Sequence, residues 1–227
     1  MTRTSSAKPA PAAAPETARE KLLASALRVF GEHGYDGSSI RDIARDANTN
    51  VALVSYHFGG KEQLYNEVLR SIVANRVQVA LNGLTAAYGD SRIQNPSRTD
   101  ARAMLKTLLC GFANNALSSG EILLAARLFV REQTQPTAGF DIVFGSGMEA
   151  LHKTVTRLFG IATGRTPETQ ECIIRAHMLF GQILSFVFAN AAICRRLGKQ
   201  TLDRQTRATI SVILSENIDK LAKPART

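Results

Sequence analysis

Between Glu16 and Lys223 the chain carries only three prolines, Pro96, Pro136 and Pro167; the other four, Pro9, Pro11, Pro15 and Pro224, sit in the tails. Proline removes a backbone donor and collides with the preceding helical turn, so each one marks a place where a helix must stop or bend. The long intervals between them are rich in Ala and Leu, 31 and 23 of the 227 residues, both strong helix formers. Apolar residues recur at spacings of three and four, with no clear alternating strand pattern. These features predict an all-α protein. Hydrophobic residues make up 44% and charged residues 21%, ordinary for a globular chain. A chain of this length buries about 70–75% of its unfolded surface, enough for a real core.

Cys110, Cys172 and Cys194 show no paired spacing, which excludes a disulfide framework and a Cys-x-x-Cys metal site. Each is expected to act as a small buried hydrophobe. No long apolar core follows the N-terminal charges, so the start does not read as a signal peptide and a cytoplasmic location is expected. Ala176–Cys194 carries no formal charge and approaches a membrane span in length. It holds His177, Gln182, Ser185 and Asn190, polar groups costly in lipid, so a doubly buried helix is expected and no membrane contact. The net charge of +9 is unevenly placed: residues 1–70 hold nine Lys/Arg against eight Asp/Glu, and the rest of the chain nineteen against eleven. The overall basicity is therefore no direct sign of nucleic-acid binding.

Residues 1–15, rich in Ala, Pro and Ser, read as a disordered arm. Leu22, Leu23, Ala26, Leu27, Val29 and Phe30 then share one helical face, ended by Gly34. Ser39 with Asp42 three residues on marks a helix start, and Ile40, Ile43, Ala44 and Ala47 form a short helix. Asn48–Asn50 reads as a turn, Asn being able to take the left-handed conformation. Val51, Ala52, Val54 and Phe58 form a second short helix, stopped by Gly59-Gly60, and a long helix follows from Lys61. Beyond a polar loop at residues 89–99, helices are expected at 100–118, 120–133 and 140–162. A further helix, opened by Thr166 as cap and Pro167 as first residue, is expected to run to about Leu197. A last helix is expected from Thr201.

Two short helices joined by a tight turn, with small residues at their contact, make a helix-turn-helix. Its second helix fits the DNA major groove. Lys61 at the start of the following helix, together with that helix's free N–H groups, suits a phosphate.

The run Thr17–Leu69, above all Ser39-Ile40-Arg41-Asp42-Ile43-Ala44 and Ser55-Tyr56-His57-Phe58-Gly59-Gly60-Lys61-Glu62-Gln63-Leu64-Tyr65, resembles the DNA-binding domain of TetR-family transcriptional repressors. Asn48 stands where the family usually has Gly, and Ser55 where it usually has an aromatic. The resemblance implies a groove-facing role for Arg41, DNA-facing positions for Asn50, Ala52, Ser55 and Tyr56, and phosphate contacts for His57 and Lys61, with Ser39 a further candidate. It also implies a helix-turn-helix domain over residues 16–65 and a helical ligand-binding and dimerisation domain over 66–227. Arg131-Glu132-Gln133 through Pro136 and Phe140, followed by Met148, Leu151 and His152, is similar to a subgroup with a CerR-type C-terminal domain, often tied to efflux and drug sensitivity. The implied partners are a palindromic operator, a small-molecule effector and a second copy of the chain. Repression is the family's default, activation the alternative.

From the residues themselves, eight of ten phenylalanines lie between 112 and 188, and an apolar pocket with few polar groups is the usual small-molecule site. Phe112, Phe144, Met148 and His152 are candidates to line it. Arg127 and Arg131 stand in apolar helical surroundings, and a buried Arg needs a partner, either Glu132 or an acidic or strongly polar ligand. Phe180, Ile183, Leu184, Val187, Phe188 and Ala191 form one apolar face of the penultimate helix, while Leu179, Phe186 and Ile193 repeat on another. A helix apolar on two sides must be covered on two sides, so a homodimer through the last two helices is expected, with the Ile210–Ile213–Leu214–Leu221 stripe completing a four-helix bundle.

Rival classes are an enzyme and a helical protein-binding adaptor. Gly145-Ser-Gly147-Met-Glu-Ala150 matches a dinucleotide fingerprint, but such a motif needs a preceding strand and further βαβ units. No P-loop, His-Glu-x-x-His or Gly-x-Ser-x-Gly occurs, and His33, His57, His152 and His177 lack metal-ligand spacing. No catalytic residue, cofactor or metal is expected.

Overall fold

The computed structural model describes residues 17–118 and 120–221; the arm expected over residues 1–15 lies outside the described residues. Twelve α-helices and no strand occur among them. The N-terminal unit is α1 (Ala18–His33), α2 (Ile40–Asp46) and α3 (Val51–Phe58), leading into the long α4 (Lys61–Tyr88). Local chemistry sets these ends. Thr17 accepts from the Glu20 amide at 3.2 Å while the Glu20 carboxylate accepts from the Thr17 amide at 2.8 Å, the reciprocal cap that satisfies two otherwise orphaned donors. Ser39 caps α2 through the Asp42 amide at 3.1 Å. Asn48 takes φ 50°, the left-handed turn its side chain tolerates, and α3 stops at Gly59 with φ 82°. Ala44 and Ala47 are buried where α2 crosses its neighbours, and Phe30, Ile43, Val54, Leu64 and Val68 fill the space between the four helices.

α4 passes without interruption through position 65 into the second half of the chain, a rod of about 40 Å at 1.5 Å per residue. Around it stand α5 (Asp90–Gln94), α6 (Arg98–Ala116), α7 (Gly120–Thr134), α8 (Ala138–Val143), α9 (Glu149–Thr163), α10 (Gln170–Phe188), α11 (Asn190–Leu197) and α12 (Arg204–Leu221). Met104, Leu105 and Leu108 of α6, Val155, Leu158 and Phe159 of α9, and Leu179, Phe180 and Ile183 of α10 continue the same core into the second half. α10 is long and apolar enough to cross a membrane by length and composition, but one face of it is packed into this core.

Several expected boundaries are corrected. The polar loop at 89–99 contains the short α5. The helix expected over 140–162 is divided by a kink within the wide turn Phe144–Met148, where Gly147 has the non-helical φ 141°. A β-carbon at Gly147 would stand 3.2 Å from Val77 Cγ1, so the close approach to α4 and the positive φ both call for glycine. Thr166 and Pro167 do not open α10; Thr169 caps it through the Cys172 amide, and Pro167 lies against Gly160 of α9. That helix ends at Phe188, Ala189 being non-helical, so α11 is separate. The last helix begins at Arg204, where Asp203 rather than Thr201 accepts from the Thr206 amide at 2.8 Å. Cys172 and Cys194 are buried as expected, whereas Cys110 is only half-buried, its thiol 3.5 Å from the Ser211 carbonyl oxygen.

Candidate DNA interface and effector cavity

α3 is held from behind by Val54 and presents its other side outward. Asn50, Ala52, Ser55 and Tyr56 are all exposed, and Tyr56 is 81% exposed. So large an exposed aromatic ring on a buried-core helix points to a partner surface. Asn50 has a second role the sequence did not reveal: its side-chain oxygen caps α3 through the Ala52 amide at 2.9 Å. Arg41 is exposed on α2, while Ser39 is half-buried and engaged with Asp42. The His57 ring meets Tyr56 edge-on at 5.0 Å. Lys61 stands at the first position of α4, its ammonium 4.4 Å from the centre of the Tyr35 ring. α4 has no side-chain cap there, so its first N–H groups and the Lys61 charge form one anion-attracting end. All eight residues expected to meet DNA thus lie on α2, α3, their caps or the start of α4.

In the second half, a cavity of about 610 Å³ opens between α4, α6, α7, α8, α9 and α10. Ile72, Val73 and Val77 of α4 form one wall; Phe112, Phe129, Phe140, Phe144, Phe180 and Phe188 supply aromatic surface. Of the residues expected to contact a ligand, Phe112, Phe144, Met148 and His152 line it. The His152 ring stacks on Phe180 at 4.3 Å and lies 5.9 Å from the His177 ring. Burial, and then the neighbouring His177, hold the His152 imidazole below its ordinary range, so it is neutral near pH 7.

Arg127 and Arg131 are corrected. Neither lines the cavity: Arg127 is exposed on α7, and Arg131 reaches Asp36 beyond the end of α1 at 2.8 Å. Glu132 is not their partner; it accepts from the Tyr65 hydroxyl at 2.8 Å and from Thr137. Helical spacing places an Arg on a helix but not the loop to which its long side chain extends. The sequence reading also missed the α4 wall, whose Val73 and Val77 stand four residues apart, and the polar lining of Glu149, Lys153, Thr156, Glu168 and His177. The Gly145–Gly147 motif lies in the wide turn Phe144–Met148 and follows a helix rather than a strand.

Comparison with known proteins agrees with this geometry. Residues 22–68 match the family of bacterial regulatory proteins, tetR family. Residues 101–223 match the C-terminal domain of the HTH-type transcriptional dual regulator CecR, and the CerR-type domain that the sequence resembles is of this CecR type. The HTH-type transcriptional dual regulator CecR of Shigella flexneri is 29% identical over 206 residues, covering 90% of this chain and 91% of that protein. The HTH-type transcriptional regulator BetI of Agrobacterium fabrum is 38% identical over 71 residues, 31% of this chain and 34% of that one. Among solved structures, the Bacillus subtilis transcriptional regulator FadR in complex with stearoyl-CoA superposes with a TM-score of 0.64 at 14% identity, covering 87% of this chain and 96% of that one. Mycobacterium smegmatis AmtR superposes at 0.61 with 19% identity, covering 96% and 92%. At such identities the two structures share the fold. The chain belongs to the TetR family of bacterial regulatory proteins, with a CecR-type C-terminal domain, and is a DNA-binding transcriptional regulator rather than an enzyme.

Proposed function

We propose that this regulator binds a two-fold symmetric operator as a homodimer, represses from it, and leaves it when a small molecule occupies the cavity. The observation that carries this reading is the continuity of α4: Lys61, which we assign to DNA, stands at its start, and Ile72, Val73 and Val77 farther along it form a cavity wall. A ligand that fits only one placement of that wall favours one placement of α3 and its copy, and its differential affinity sets how far the population shifts. Ser39, Arg41, Asn50, Ala52, Ser55, Tyr56, His57 and Lys61 are assigned to DNA, and Phe112, Phe144, Met148 and His152 to the effector. Repression follows the relatives named repressors, such as AcnR of Corynebacterium glutamicum; activation at some promoters is the second reading, favoured by the description of the Shigella flexneri relative as a dual regulator. A cytoplasmic location accompanies the DNA target.

The test is binding of the purified chain to the region upstream of its own gene, measured by fluorescence anisotropy over a range of salt. A sequence-specific, salt-sensitive complex is expected. Equal affinity for unrelated DNA, or none, would leave the adaptor reading standing. Sequencing the DNA fragments that the protein selects then identifies the regulated genes, expected among efflux and drug-sensitivity functions.

A further inference from the structure

We infer that the cavity takes a lipophilic organic cation. The inference rests on the effector reading above and names the chemistry that reading leaves open.

Every titratable or charged group on the cavity lining is one of five: His152, His177, Glu149, Lys153 and Glu168. The Lys153 ammonium is already bound, 2.7 Å from the Glu149 carboxylate. Glu168, at the turn before α10 and in a left-handed backbone conformation with φ 65°, is in no close ion pair among the described residues, its charge reaching Lys153 only at longer range than that of Glu149. His152 is neutral for the reason given above. Beside the two imidazoles the lining thus holds two carboxylates against one ammonium, and that ammonium is bound to Glu149. An anionic ligand would meet a repulsive rim with no free cation behind it, since Arg127 and Arg131 stand outside.

The interior points the same way. Aromatic rings from four helices face the space, Phe140 and Phe144 stacked with centroids 6.0 Å apart. Ring faces carry negative potential and attract cations, more strongly when water is excluded. Thr156 of α9, only 4% exposed, also lines the cavity. The volume suits a drug-sized molecule.

The experiment uses two ions of nearly the same shape and opposite charge, tetraphenylphosphonium and tetraphenylborate, titrated calorimetrically into the purified full chain. The phosphonium is expected to bind about tenfold more tightly, as one unpaired carboxylate at a part-solvated rim allows. The net charge of +9 biases non-specific binding toward the borate, so this preference cannot come from the surface at large. Glu168→Lys, a change at an exposed turn that leaves the core untouched, is expected to bring the two affinities within about twofold or to reverse them. Borate binding as tightly as phosphonium in the wild type, or a phosphonium preference that survives Glu168→Lys, would overturn the cation assignment and leave the effector cavity standing. Binding of neither ion would overturn both.

Discussion

Tyr65 of α4 donates a hydrogen bond of 2.8 Å to Glu132 of α7, joining side chains 67 residues apart in a site where Glu132 is 1% exposed. The second Glu132 oxygen accepts from the Thr137 amide at 3.2 Å and its hydroxyl at 2.8 Å. The carboxylate therefore pins the DNA-proximal part of α4 to α7 and to the cap of α8, whose Phe140 lines the cavity. Tyr65→Phe keeps the ring and its edge contacts with Phe30 and Tyr35 but removes one donor from a buried acceptor. A loss of about 1–3 kcal/mol is expected, read as a lower urea midpoint. An unchanged midpoint would mean that water replaces the phenol.

The same contact predicts an alkaline dependence. Burial first, then the hydrogen bond and the charge of Glu132, push the Tyr65 phenol well above its ordinary range. The folded state thus holds this proton more tightly than the unfolded chain. The resulting stability is complete below the unfolded value of about 10 and is lost as pH rises through the higher folded value. In the unfolding free energy, the difference between wild type and Tyr65→Phe should shrink by about 1 kcal/mol from pH 8 to pH 11. A constant difference would show that the phenol ionises equally in both states.

Arg131 is expected to act at the junction of the two halves rather than on the effector. Its partner Asp36 is largely exposed, so Arg131→Ala should lower stability by no more than about 1 kcal/mol. Its tetraphenylphosphonium affinity should match that of the wild type, whereas His152→Leu, which alters the lining itself, should change it. Calorimetry on both variants decides the matter, and a weakened Arg131→Ala complex would return this residue to the cavity.

Much of the DNA-binding half was legible because its signals are local. Caps at Ser39, a left-handed Asn48 and the Gly59-Gly60 stop each act within a few residues. The second half depends on contacts that spacing does not encode. Arg131 finds Asp36 across the interface, and Glu132 finds Tyr65. The Gly147 kink exists because Val77, 70 positions earlier, leaves no room for a side chain. Pro167 reads as a helix start because that is its commonest helical place, yet packing against Gly160 holds it in the preceding turn. Leu179, Phe186 and Ile193 make one stripe only on a continuous helix, and the break at Ala189 ends that register.

On the DNA side, Lys61→Ala should weaken binding to all sequences about equally and lower the salt slope by about one unit. Tyr56→Ala or Arg41→Ala should instead relax the preference at particular base positions, by about 1–3 kcal/mol for a good base contact. Lys61 also faces the Tyr35 ring, so the variant's melting temperature must be measured alongside. Loss of affinity with an unchanged salt slope would assign Lys61 to structure rather than to phosphate.

The dimer surface needs to be redrawn from the one that sequence periodicity suggests. Leu179 is fully buried in its own subunit, and Phe186 and Ile193 pack on a small internal cluster of Cys194, Leu202 and Ile210. Phe180 and Ile183 are likewise buried, while Leu184, Val187 and Phe188 line the cavity. The apolar side chains left outward on α10 are Ile174 and Met178, 51% and 62% exposed, followed along the helix by Gly181 and Ser185. On α12 they are Val212, Ile213 and, at its end, Leu221. Ser185 and Ile213 line one groove between the two helices, together with Leu214. Small residues on α10 allow a second helix to approach closely, and a two-fold copy would close α10 and α12 of each subunit into a four-helix bundle. Stable interfaces of this kind often exceed about 2,000 Å² and are largely apolar. Met178→Glu with Ile213→Glu should therefore give a soluble, folded monomer in sedimentation, because neither side chain supports the subunit core, and operator affinity should fall with it. Phe186→Glu should instead lower the melting temperature. A wild-type chain that sediments as a monomer at micromolar concentration would remove the dimer from the proposal.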